Sequence, residues 1–219
     1  MIKKKNIEQK YISFIDSGFD HGDITLREGK QSIQNREKYY LLLNKTLKNF
    51  KNIYKKKIII CLHPKTNVSN IKKFLSDFKI IKFKTPYYVK KSYIVLFHDS
   101  SAIIDAIFLK KRILNLTNHV MGKYYETQNK IYTSLINVPS LNMDDSHKLN
   151  KEFLEKNYFS QKIKYNSYIK NLLTCSIKDY DKIIKYKNIN LLTSKFKNKK
   201  GSNQIMEVIK KKFFSNKYI

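Results

Sequence analysis

A chain of 219 residues is long enough to bury a self-sufficient core, as one large domain or two small ones. Its two cysteines, Cys61 and Cys175, exclude a disulfide scaffold and point to a reducing, cytoplasmic setting. The 45 basic residues outnumber the 17 acidic ones for a formal charge of +28, yet every basic residue except Arg27, Arg36 and Arg112 is a lysine.

The abundance of Asn, Ile, Tyr and Phe beside so much Lys marks a compositional bias that fills exposed positions whatever the function. Scarce Arg removes the usual means of bidentate phosphate or guanine recognition, so no specific nucleic-acid partner is expected. The longest apolar runs, Ile58 to Leu62 and Ile94 to Phe97, fall far short of the roughly 18 residues of a membrane span. No apolar segment follows the charged start MIKKKNIEQKY, so no secretory signal is read there. The expectation is a cytoplasmic protein whose lysines favour peripheral contact with the anionic inner face of the membrane.

Tyr11 to Ile15 reads as a strand, DSGFDHGDITLREG as a loop, and Gln34 to Phe50 as a helix. Lys57 to Leu62 lacks polar alternation, as expected of a strand buried on both faces of a parallel sheet. A turn at His63-Pro64 leads to a helix over Asn70 to Phe78, capped by Asn67 or Ser69. Lys79 to Phe83 is the next strand, and Thr85-Pro86 opens a short helix to Lys91. Tyr93 to Phe97 is again a strand. Asp99 or Ser100 then caps a helix that buries Ile103, Ile104, Ile107 and Phe108, and Arg112 to Leu116 closes the series. This alternation predicts an α/β fold, a Rossmann-like doubly wound parallel sheet with right-handed crossovers.

Beyond about Asn118 the pattern turns mixed, with a turn at Pro139 and the acidic pair Asp144-Asp145. Helices are predicted at Lys148 to Asn157, Gln161 to Leu173 and Asn203 to Phe214, with LTSKFKNKKGSN as an exposed linker. The expected organisation is a Rossmann-like domain over 1–145 and a helical C-terminal extension over 146–219.

Ligands of open parallel sheets bind beyond the carboxyl ends of the strands. His98-Asp99-Ser100-Ser101 offers two hydroxyls at a helix start, where an anion such as a phosphate fits. The plainer reading is a helix cap. His63-Pro64 is a second candidate, or merely a turn. Asp16, Asp20, His21 and Asp23 cluster in one loop and suit acid/base chemistry, a metal, or only Asx turns with Gly18 and Gly22. His119 and His147 read as solvated, and Tyr124-Tyr125 as able to cover a base or sugar. The chain has no GxGxxG, Walker-type loop, GxSxG or HExxH.

In this order and at these spacings, YISFIDSGFDHGD, IIICLHPKTN, the Thr85 segment and VLFHDSSAIIDAIFLKKRILNL resemble the C-terminal, donor-binding half of GT-B-like bacterial surface-carbohydrate transferases. That group spans capsule and lipopolysaccharide biosynthesis, polysialyltransferase-type and CDP-glycerol glycerophosphotransferase-type enzymes. The resemblance covers Tyr11 to Asn118. It implies a single GT-B-type half that holds a nucleotide-activated sugar or polyol phosphate, CMP-, CDP- or UDP-linked, without metal or cofactor.

Carried over, His63 and Pro64 match the HP motif, Ser100 and Ser101 the serine pair, and His98 the residue before it, with Thr85 in support. Asp16 and His21 take the place of catalytic candidates. The acceptor implied is a glycan or lipid-linked saccharide. The family's amino-terminal domain has no counterpart here, so the resemblance also implies a separate N-terminal half or complex partner, or a non-catalytic nucleotide-binding subunit or remnant. A basic nucleic-acid-binding protein is the alternative from a different class.

Overall fold

The computed structural model of the chain describes residues 9–18 and 36–174. Two compact units divide the chain, Met1–Asn166 and Ser167–Ile219, and of the second only 167–174 is described. Asp20, His21, Asp23, Cys175, the Lys/Asn-rich linker and the helix expected at Asn203 to Phe214 lie outside the described residues.

The first unit runs β1 (Tyr11–Ile15), α1 (Arg36–Tyr54), β2 (Lys57–Cys61), α2 (Val68–Leu75), β3 (Lys79–Ile81), α3 (Thr85–Lys90) and β4 (Ser92–Phe97). It continues with α4 (Ile103–Phe108), β5 (Arg112–Thr117), a 3-10 turn (His119–Met121), α5 (Lys123–Ile136), β6 (Ser140–Asn142), a second 3-10 turn (Met143–Lys148) and the start of α6 (Lys151–Thr174), whose residues from Ser167 on fall in the second unit. All five strand pairings are parallel, in the order β3-β2-β1-β4-β5-β6. This is the Rossmann-like arrangement expected from the alternation of elements. The chain winds left from β1 to β3 and then crosses back to β4, so the order reverses between β1 and β4.

Strand residues alternate between the faces. Ile12, Phe14, Ile58, Ile60, Ile94, Leu96, Leu114 and Leu116 join Tyr39, Tyr40, Leu43, Leu47 and Phe50 of α1 in the main core. On the opposite face Ile59 and Cys61 pack against Tyr88 of α3. There Ser13 donates to Ser92 Oγ (2.6 Å), which donates to the Tyr88 carbonyl (2.7 Å), so the buried hydroxyls between β1 and β4 are paired. Where β5 extends past β6, Gln161 of α6 stands in for a strand. Its amide accepts from Ile113 N (3.2 Å) and donates to Ile113 O (3.0 Å), closing the sheet edge.

Several boundaries differ from expectation for local reasons. Helix α1 runs on through Tyr54 and stops at Lys55, which takes φ 52°. Strand β3 ends at Ile81, because Phe83 sits at φ 61° with its ring exposed. Asn67 caps α2, accepting from Ser69 N (3.0 Å). Neither Asp99 nor Ser100 caps α4: the helix begins at Ile103, and Ala102 at the cap position gives no side-chain bond. Helix α5 and strand β6 were not expected. The two helices predicted over Lys148 to Leu173 are one, since no Gly or Pro interrupts them and Asn157 and Ser160 bond back to the Phe153 and Asn157 carbonyls.

Candidate functional site

The crevice where strand order reverses is bounded by the segments that follow β1, β2 and β4, and two side chains from the β1 end tie those segments together. Asp16 reaches sideways to the β2 segment. Its Oδ2 accepts from His63 N (3.1 Å) and from the Thr66 hydroxyl (2.9 Å), while Oδ1 accepts from Gly18 N (3.1 Å). Ser17 reaches the other way, its Oγ accepting from Asp99 N (3.0 Å). The register pairs Ile15 with both Cys61 and Phe97, so Ser17 lies between His63 and Asp99. Two strand spacings then separate the His63-Pro64 segment from the Asp99-Ser100 segment, about 10 Å.

Gly18 allows this closeness. It takes φ 72°, and a Cβ there would lie 3.1 Å from Cγ and 3.2 Å from Nδ1 of His63. His63 is half-buried, and its Nδ1 accepts from Lys65 N (3.3 Å), which leaves the proton of the neutral ring on Nε2. Pro64 is exposed, and Lys82 donates to its carbonyl (3.1 Å), bringing an ammonium group to the same segment. Ser100 is half-buried and Ser101 exposed, both in the turn before α4, with Ser100 Oγ 3.4 Å from Ala102 N. The structure therefore brings His63, Pro64, Ser100 and Ser101 to one edge of the sheet, outside the core.

Three expected site residues are placed differently. His98 is fully enclosed: Nδ1 donates to the Leu116 carbonyl, and Nε2 accepts from the Tyr39 hydroxyl (2.9 Å). Phe14 and Tyr39 pack on its ring, and burial lowers its pKa to about 4, so it stays neutral. With both nitrogens used inside the protein, His98 is a positioning residue beneath the crevice and not a contact for phosphate.

Thr85 is half-buried at the start of α3 and hydrogen-bonds the Cys61 thiol, whose own pKa burial raises to about 12. Asp16 is 4% exposed. Desolvation raises its pKa, opposed by the bonds from His63, Thr66 and Gly18. A carboxyl so occupied braces a loop.

Sequence reasoning passed over Ser17, Thr66, Tyr39 and Asn115, which shape the crevice from behind. Asn115 donates to the His98 carbonyl (2.7 Å). The signal for Ser17 and Thr66 was present in DSG and HPKT, where short polar side chains directly follow strands. His119 lies elsewhere, beyond β5, with Nδ1 3.7 Å from Asp144. His147 is exposed and Tyr125 buried. Among the described residues no group of three His, Cys, Asp or Glu side chains is placed to hold a metal, and no helix is long and apolar enough to cross a membrane.

No protein-family model matches the chain, and no curated protein does. Solved structures similar to it include a calicheamicin glycosyltransferase, with 7% identity over 76% of this chain and 39% of that one and a TM-score of 0.48. The UDP-GlcNAc 2-epimerase of Methanocaldococcus jannaschii is 17% identical over 76% of this chain and 45% of its own, with a TM-score of 0.42. A spinosyn rhamnosyltransferase is 9% identical over 77% and 43%, with a TM-score of 0.43. The chain spans less than half the length of each of these proteins.

Proposed function

We propose that this chain is the donor-binding half of a GT-B-like transferase, holding the phosphates of a nucleotide-activated sugar or polyol phosphate for surface polysaccharide synthesis. The observation that carries the reading is the pair of ties from the end of β1, Asp16 to the His63 segment and Ser17 to the Asp99 segment. They hold the HP turn and the serine turn on either side of the point where strand order reverses.

Bond cleavage in such a transfer leaves negative charge on the departing nucleotide phosphate. Groups fixed in advance around that charge lower the barrier most. His63 donates from Nε2, Ser100 and Ser101 from their hydroxyls, and Lys82 adds positive charge beside Pro64. Asp16 and His98 act one layer behind. The first fixes the His63 loop, and the second spaces β4 from α1 through Tyr39. The acceptor is a glycan or lipid-linked saccharide, and the lysine-rich surface suits an anionic membrane.

A second reading, a subunit that binds nucleotide without turnover, is favoured by one observation. Asp16, the described one of the two catalytic candidates, has both oxygens engaged and is almost wholly enclosed.

Calorimetric titration of the full chain with CMP, CDP and UDP tests the shared claim. At least one nucleotide binds, and His63→Ala and Ser100→Ala each weaken it by roughly tenfold, the worth of about 1.4 kcal/mol. Unchanged affinity in both variants refutes the assignment. Nucleotide release from the matching activated donor then separates the transferase from the silent subunit.

A further inference from the structure

A second concave site lies away from this crevice, between α5 and the β5–β6 edge of the sheet. It is a groove of about 540 Å3, within the roughly 300–1,000 Å3 of small-ligand sites. The crossover helix α5 should present an apolar stripe to the strands it covers. Tyr125 and Ile136 are buried in that way, but the polar Asn129 is buried with them, and Glu126, Asn129, Lys130 and Thr133, at helical spacing, line the groove beside that stripe, facing Thr117, Ser140 and Asn142 of the strands. By register Asn115 pairs with Ser140 and Thr117 with Asn142, so Asn115 shares that polar strand face.

This polar layer is not satisfied from within. Asn129 is 5% exposed, and its Oδ1 is buried without a hydrogen-bond partner; the Oδ1 of Asn115 is in the same condition. An unpaired buried amide oxygen is costly, and few are found in native proteins. Nearby oxygens are already accepting: Asn142 Oδ1 takes Asn118 Nδ2 (3.1 Å) and Asp144 N (3.2 Å), while Thr133 donates to the Asn129 carbonyl (2.8 Å). The unpaired Asn129 oxygen of the groove therefore asks for a donor.

We infer that this groove binds an uncharged polyhydroxyl ligand, the end of a saccharide, whose hydroxyls donate to Asn129 Oδ1 and the Glu126 carboxylate. Its ring oxygens and remaining hydroxyls accept from Lys130. Phosphate is disfavoured, because the Glu126 carboxylate and the Asn129 oxygen set negative charge and a lone pair against it beside Lys130. The inference goes beyond the donor reading and does not depend on it, since none of these residues belongs to the His63–Ser100 crevice.

Saturation-transfer NMR on the full chain, with methyl α-glucoside, methyl β-galactoside and N-acetylglucosamine as probes, tests the inference. At least one sugar receives saturation, and Asn129→Leu and Glu126→Gln each reduce it at least fivefold. Asn129→Leu also raises the melting temperature, since an unpaired amide gives way to an apolar side chain of similar size. Glu126 is exposed, so its variant folds and keeps the test decisive if Asn129→Leu does not. The inference is overturned if no probe receives saturation, if Glu126→Gln leaves the signal intact, or if inorganic phosphate displaces the sugar at equal concentration.

Discussion

His98 supplies a pH-dependent share of stability that can be separated from everything else in the protein. Its ring is neutral in the fold with a pKa near 4, against 6.5 for an unconstrained imidazole. The folded-state value is depressed, so the contribution is present in full above pH 6.5 and is lost as pH falls towards 4, where the unfolded chain takes up a proton the folded chain refuses. Each pH unit across that window removes about 1.4 kcal/mol, so the loss is about 2 kcal/mol at pH 5.

For a protein of this size that corresponds to a melting temperature lower by roughly 4–8 °C. Glutamine at position 98 keeps an amide to donate to the Leu116 carbonyl and an oxygen to accept from Tyr39, but does not titrate. His98→Gln melts lower than the parent at pH 7.5, and the gap narrows by those 4–8 °C at pH 5. Asp16, raised in the opposite sense, is common to both proteins and cancels from the comparison. Equal pH dependence of parent and variant between 7.5 and 5 refutes an enclosed, neutral His98.

Two further outcomes concern the brace beside His63. Asp16→Ala leaves the His63 and Gly18 amides and the buried Thr66 hydroxyl without their acceptor, costing about 3 kcal/mol by chemical denaturation; a cost under 1 kcal/mol contradicts the bracing role. Gly18→Ala forces a side chain into φ 72° and a Cβ against the His63 ring, with an expected cost of about 1–2 kcal/mol and a weakened nucleotide site. A variant with unchanged melting temperature and affinity shows that the two loops do not press on each other.

The sheet was legible because its central strands are buried on both faces and read as mostly apolar runs, YISFI, KIIIC and SYIVLF. Strand β6 escaped notice because it is three residues long and only Leu141 of Ser140–Asn142 is buried. Helix α5 escaped for a different reason: its buried positions mix the polar Asn129 with Tyr125 and Ile136, while Glu126, Lys130 and Thr133 beside them are exposed, so the apolar periodicity is broken. The crevice was legible in part. Positions after strands pointed to His63 and Ser100, but sequence does not say whether a histidine at a strand end faces outward. His63 does so in part, because Asp16 holds its backbone. His98 turns inward, because Leu116 and Tyr39 offer a matched acceptor and donor within the core.

Amide hydrogen exchange of the full chain with and without saturating UDP tests the central claim most directly. Nucleotide held in the crevice slows exchange at residues 16–18, 63–67 and 99–102, three stretches far apart in sequence and joined by the Asp16 and Ser17 bonds. Slowing confined to α5 and β6, or no slowing under conditions where UDP is bound, contradicts a donor site at the reversal of strand order.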